Sequence, residues 1–328
     1  MSGRVRAAAL ANYVEVARAV GLDPWAMLGE AGLPARCVSE PELKIPISAA
    51  CELLERSAAV SGVEAFGLLM AEGRRITNLG VLGMLAREEP TLRHALQAIS
   101  RYGRMHNEAL VQRLVESDGI AILHEELLVG GGAPVRQATE LLLAIGVRVM
   151  QAFLGADWRA RRICLLHSAP ADLSVHRRVL GQVPEFAQEF NGIVCTSQDL
   201  DTPIATADPV IAGYLRAQIQ AQADAALSMA DEVRQVAVVL LPAGRCTVEQ
   251  VARLMGVDRR TLHRRLQREH TTFSAIVQEL QEELARRLVP DWRRSLREVA
   301  TSLGFADASS FSRWHRATFG CTAESLRV

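Results

Sequence analysis

Arg260, His263 and Arg264 fall three and four residues apart in a stretch that also carries Leu262 and Leu266. On a helix, the leucines form one stripe, and the two arginines and the histidine take the other side. Guanidinium groups on such a face can grip guanine O6 and N7 in pairs or rest on phosphates, and a histidine can reach either. A second group, Ser309, Ser310, Ser312 and Arg313, with Arg316 three residues on, is leaner in arginine and suits phosphate contact. The competing reading of both groups is a solvated helix face.

Other candidate chemistry is weaker. Cys164, His167 and His176 match no compact zinc spacing, and a histidine at a strand end is ordinarily structural. Asp199 and Asp201 have no partner histidine or nucleophile in view, so a hydrolase is not indicated. The run Arg159-Ala160-Arg161-Arg162 reads as a solvated strand edge before it reads as an anion site. Six cysteines, Cys37, Cys51, Cys164, Cys195, Cys246 and Cys321, lie without CxxC spacing and are expected as reduced thiols. No catalytic residue, metal ligand or cofactor is therefore assigned, and the chain is not expected to be an enzyme.

The elements that hold the two basic groups form one shape repeated. Thr247 to Ser295, Ala252 to Ala300 and Gly256 to Gly304 are each 48 residues apart. In each copy a hydroxyl residue (Thr247, Ser295) caps a first helix, with Glu249 or Glu298 in the first turn where the helix dipole favours an acid. A small residue, Ala252, sits where two steeply crossing helices meet, and Gly256 can take the positive φ of a sharp turn. Asp258 then caps a second helix. The pattern predicts helix-turn-helix motifs at 247–268 and 295–316, joined by a helix over Phe273–Leu288. Sixteen helical residues span roughly 24 Å. That suits two recognition helices in successive major grooves, about one ~34 Å turn apart.

With Gly304-Phe305, Ser309-Ser310-Phe311-Ser312-Arg313, Phe319-Gly320 and Leu326-Arg327, the last 90 residues or so resemble the DNA-binding domain of the AraC/XylS family of bacterial transcription regulators. Two departures concern packing. Trp314-His315-Arg316 puts a histidine where the family has a buried aromatic, and Thr322-Ala323 replaces the family's late Ser-Pro. Toward the N-terminus, Gly21-Leu22-Asp23-Pro24, Ala31-Gly32-Leu33-Pro34, Lys44-Ile45-Pro46, Gly80-Val81-Leu82-Gly83 and Thr91-Leu92-Arg93-His94-Ala95-Leu96 are similar to the arabinose-binding-like effector domain of an AraC subgroup. That second resemblance implies a small-molecule effector of unassigned identity and pocket.

Length bounds the rest. The 328 residues suggest two domains. No stretch approaches the ~20 apolar residues of a membrane span, and Met1–Leu10 lacks a secretory pattern. Net charge is zero, yet residues 229–328 hold 16 arginines against 12 acids, an excess of four that the remainder cancels. Arginine outnumbers lysine 36 to 1, so arginine richness by itself does not mark nucleic-acid binding.

Along the chain, Val5–Val20 reads as an amphipathic helix, Asp23-Pro24 as a capped helix start, and Pro46–Ala59 and Thr91–Tyr102 as helices. Leu110–Glu116 and Ile120–Leu128 read as a hairpin about Ser117-Asp118-Gly119, which is followed by the break Gly130-Gly131-Gly132 and a long helix from Pro134. The expected fold is an α+β N-terminal effector domain with a small sheet (1–205), a linker region (206–228), and an all-α domain with two helix-turn-helix motifs (229–328). The expected protein is a cytoplasmic, sequence-specific regulator of transcription, by activation or repression, acting on double-stranded DNA without a membrane. A small-molecule effector, RNA polymerase and a second copy of the chain are candidate partners. The alternative is a ligand-independent DNA-binding protein whose N-terminal domain only associates.

Overall fold

The computed structural model describes residues 3–129, 134–223, 228–242, 244, 246–255 and 257–327. The chain divides into two compact units, the first made of Met1–Cys164, Ala169–Glu185 and Asn191–Ala225, the second of Leu165–Ser168, Phe186–Phe190 and Ala226–Val328.

In the first unit the strands are β1 (Arg4–Arg6), β2 (Lys44–Pro46), β3 (Leu110–Ser117), β4 (Ile120–Leu127), β5 (Arg162–Cys164) and β6 (Gly192–Thr196). The helices are α1 (Tyr13–Ala19), α2 (Pro24–Glu30), α3 (Ile47–Ser61), α4 (Phe66–Ala71), α5 (Val81–Glu88), α6 (Leu92–Tyr102), α7 (Arg136–Leu154), α8 (Ser174–Leu180), α9 (Ser197–Leu200) and α10 (Pro209–Ala223). β3, β4, β6 and β5 lie in that order in one antiparallel sheet. The expected hairpin closes through Asp118 and Gly119, both at positive φ, as a tight two-residue turn requires. Alternation along β4 turns Ala121, Leu123 and Glu125 inward, all buried. α7 packs against β4 and β6 and also against α3 and α4. α7 is long and apolar enough to cross a membrane by composition, but most of it is buried within the unit, as a core helix is.

Three expectations are corrected. Val5–Val20 is not one helix: Arg4–Arg6 pairs with Lys44–Pro46, and Asn12 at φ +66 breaks the chain before α1. Residues 206–228 are not a free linker throughout, because α10 docks on α5. There Arg216 pairs with buried Glu89 at 2.7 Å, and Tyr102 Oη donates to Gln220 Oε1 at 2.7 Å. Residues 165–168 and 186–190, placed by sequence in the first domain, group with the second unit. The glycine break at 130–132 and the turn residue Gly256 lie outside the described residues.

The second unit contains α11 (Met229–Leu240), α12 (Val248–Leu254), α13 (Arg259–Arg268), α14 (Phe273–Leu288), α15 (Leu296–Ser302) and α16 (Ala308–Phe319). Val233, Val236 and Leu240 of α11 share a core with Val251, Ala252, Leu262, Leu266 and Ile276. α14 serves both motifs. Its first turns, Phe273 and Ile276, lie in that core. Farther along, Gln281 donates to the Leu303 carbonyl at 2.9 Å, and the Arg286 guanidinium lies 5.2 Å from the Phe319 ring centre.

Candidate nucleic-acid interface

Local chemistry fixes both motifs. Thr247 Oγ1 accepts from the Gln250 amide at 3.2 Å and starts α12; Asp258 Oδ1 accepts from the Thr261 amide at 2.8 Å and starts α13. In the second motif Ser295 and Glu298 form a reciprocal capping box at the head of α15, and Asp307 caps α16 through the Ser310 amide at 2.7 Å. These bonds hold the cap carboxylates of Asp258 and Asp307 below the usual range, chiefly through the backbone N–H of Thr261 and of Ser310. Glu298 is lowered mainly by the Ser295 hydroxyl. Gly304 turns the chain at φ +77, and a β-carbon there would stand 2.8 Å from the Leu241 carbonyl oxygen. The turn needs glycine for both its conformation and its space.

With Leu262 and Leu266 fully buried, Arg260, His263 and Arg264 are exposed on the other side of α13, and Arg265 and Arg268 are exposed beside them. The acids that flank α13 are engaged elsewhere: Asp258 caps the helix, and the two Glu269 oxygens accept from the Met229 and Ala230 amides at 2.6 and 2.8 Å, at the head of α11. Arg259 pairs with Glu249 of α12 at 3.0 Å, an exposed bridge of small energetic weight. α13 thus presents positive charge and hydrogen-bond donors on a rigidly capped helix.

In the second motif Ser309, Ser312, Arg313 and Arg316 are exposed on α16, whereas Ser310 is half-buried. The Ser310 hydroxyl donates to Asp307 Oδ2 at 3.0 Å, which commits it to the cap. Phe311 is fully buried, and an aromatic cluster surrounds it: Phe305 at 5.7 Å, Trp314 at 6.1 Å and His315 at 5.7 Å between ring centres. His315 is buried like the aromatic it stands in for. Its ring lies 4.7 Å from Phe319, and Nδ1 donates to the Cys321 carbonyl at 3.0 Å. Burial of its polar ring is thereby offset by a hydrogen bond. Arg265, Arg268 and Arg297 are further exposed cations of these motifs that the sequence pattern did not single out.

Two helix-turn-helix motifs in one unit, each with an exposed second helix carrying arginine, define a DNA-binding protein. The family model for a helix-turn-helix domain matches residues 251–328, and that for the arabinose-binding domain of AraC transcription regulators matches residues 21–204, more than half of the chain. The chain belongs to the AraC family of DNA-binding transcription regulators. It is 28% identical to the HTH-type transcriptional regulator VirS of Mycobacterium tuberculosis over 99% of this chain and 96% of that protein. It is 25% identical to the ornithine utilization regulator of Pseudomonas aeruginosa over 90% and 88% of the two chains. The crystal structure of the transcriptional regulator CdpR from Pseudomonas aeruginosa aligns over 92% of this chain and 95% of that one, with 24% identity and a TM-score of 0.45.

Proposed function

We propose that this regulator reads specific double-stranded DNA with Arg260, His263 and Arg264 of α13. In this reading Ser309, Ser312, Arg313 and Arg316 of α16 lie on phosphates and fix the register, with Ser310 acting through the cap. A small molecule held by the first unit controls which arrangement the chain adopts on its site. The observation that carries the reading is the division of α13 into a buried leucine stripe and an exposed face of Arg260, His263 and Arg264. Function divides with the chain: residues through α10 sense and associate, and residues from α11 onward bind DNA. Val210, Ile211 and Tyr214, exposed on α10, favour a second copy of the chain as partner. Control of transcription adds RNA polymerase as a partner and the cytoplasm as the place of action, and no catalytic role is invoked.

The test uses the full chain. A duplex selected from random sequence by repeated binding should be held far more tightly than its scrambled counterpart, and a metabolite that raises the melting temperature should alter that affinity. Failure to enrich any sequence would remove the specific-recognition reading. An enriched sequence indifferent to every stabilising metabolite would leave the DNA reading and remove effector control.

A further inference from the structure

The first unit contains an apolar cavity of about 60 Å³, walled by Leu82, Leu96, Ile99, Leu142, Ile145 and Val149. At roughly 10–15 Å³ per water-sized group, that holds a molecule of about four to six heavy atoms. One end is polar. Gln112 of β3 and Glu125 of β4 stand directly opposite each other in the antiparallel register, 6% and 1% exposed, and both line the cavity. Gln112 Nε2 donates to Glu125 Oε1. That leaves Gln112 Oε1 and Glu125 Oε2 buried without a hydrogen-bond partner. An unmet buried polar atom costs about 1–3 kcal/mol, so two at one end of a cavity ask for an occupant. α7 allows the approach: a β-carbon at Gly146 would lie 3.4 and 3.6 Å from the two Glu125 oxygens and 2.8 Å from Ile193 Cδ1.

The geometry points to this cavity as the effector site, taking an apolar molecule that carries one neutral head group able both to donate and to accept a hydrogen bond, an alcohol or a primary amide. This rests on the effector reading above and gives it a place and a ligand class. The chemistry follows from what faces Glu125. Gln112 on β3 bonds it, Gly146 on α7 and Ile193 on β6 lie close by, and no lysine or arginine is among the residues that line the cavity. Burial pushes the Glu125 carboxyl up to about 8. It is therefore a neutral acid near pH 7. With Oε1 accepting from Gln112, its proton lies on Oε2 and is free to donate, while Gln112 Oε1 is free to accept. The remaining titratable wall residue, His106, is held neutral, its value lowered to about 4 by burial first and then by Arg6 and Lys44. A carboxylate ligand would bring a second acid to Glu125 with no cation facing it. A sugar would strand its remaining hydroxyls against leucine and isoleucine.

Four four-carbon probes, butanamide, butanol, butanoate and butylamine, are titrated into the full chain by calorimetry, with melting temperature as a second readout. Butanamide and butanol should bind saturably and raise the melting temperature; butanoate and butylamine should bind at least tenfold more weakly. Glu125→Leu, which removes a buried acid, should fold and weaken butanamide about tenfold, as expected for a lost hydrogen bond that strands its partner. Leu142→Trp, which fills the cavity, should abolish binding, and a cooperative melt shows that it folds. The proposal is overturned if no probe binds, if either charged probe binds as well as butanamide, or if Leu142→Trp or Glu125→Leu binds butanamide like the unaltered chain. Butanamide binding that leaves duplex affinity unchanged upholds the cavity and removes effector control. A library metabolite that shifts duplex affinity equally in Leu142→Trp and the unaltered chain upholds effector control and sinks the cavity.

Discussion

The two helix-turn-helix motifs share a frame and differ in what fills it. In the first, an aliphatic core of Val251, Ala252, Leu262 and Leu266 carries a helix whose outer side is almost wholly basic. In the second, an aromatic cluster around Phe311 carries a helix that shows hydroxyls and two arginines, and its first helix opens on a full capping box that the first motif lacks. The difference fits the proposed division of labour. The motif with more hydrogen-bond donors is the one suited to base edges, and the one with more local stabilisation is suited to hold position.

The largest effects expected are on stability. Phe311→Ala should cost about 3–5 kcal/mol and Leu262→Ala about 2–5 kcal/mol, by lost burial plus the cavity left behind. Native-state hydrogen exchange should show each loss concentrated in its own motif, since Leu262 and Phe311 sit in separate clusters. Equal loosening of α13 by Phe311→Ala would erase the distinction between the cores.

Binding comes next. Arg264→Ala should cost about 1–3 kcal/mol on a selected duplex and relax preference at one base position. Arg313→Ala should cost less, by similar amounts on selected and scrambled duplexes. If about six phosphates are neutralised, log affinity should fall against log salt with a slope near about −5, made shallower by roughly one in Arg313→Ala. Filter-binding titrations across salt concentrations measure both. A sequence-independent loss from Arg264→Ala would cancel the assignment of base reading to α13.

Caps give a smaller contrast. Ser295→Ala should cost about 1 kcal/mol, more than Thr247→Ala, because the Ser295 hydroxyl accepts from the Glu298 amide and also donates to the Glu298 carboxylate that holds the Ser295 amide, whereas Thr247 accepts from the Gln250 amide without such a box. Thermal melts of the two variants decide it. The smallest difference is with acid. Asp258, Asp307 and Glu298 all sit below their ordinary values, so their contribution is present at neutral pH and is lost as pH falls below about 4. Two of the three are in the second motif, so amide protection there should fall further than in the first on acidification. Equal losses would show that the capping box adds nothing.

Much of the second unit was legible because its signals are local. Thr247, Asp258 and Ser295 announce helix starts, the leucine spacing fixes the faces, and Phe273–Leu288 is the helix its periodicity predicts. Ser117-Asp118-Gly119 gave away the hairpin for the same reason. What was hidden depends on partners distant in sequence. Three-residue strands such as Arg4–Arg6 are too short to show a period and exist by pairing with Lys44–Pro46. α10 looked like a connector because its docking is decided by Glu89 and Tyr102, more than a hundred residues earlier. Glu125 lies in Ile120–Leu128, whose alternation marks a strand but not a buried acid; Gln112 across the hairpin and Gly146 on α7 make it one. In the candidate interface, exposure of the arginines follows from periodicity, but the diversion of Ser310 into the cap does not.

The division between the motifs is tested most directly by interference mapping on a selected duplex bound to the full chain, with guanine N7 methylation and phosphate ethylation scored in parallel. The account predicts two ethylation patches about one helical turn, ~34 Å, apart. Strong N7 interference should lie within only one of them and be lost at one guanine in Arg264→Ala. N7 interference of equal strength in both patches, or a single patch in all, would contradict it.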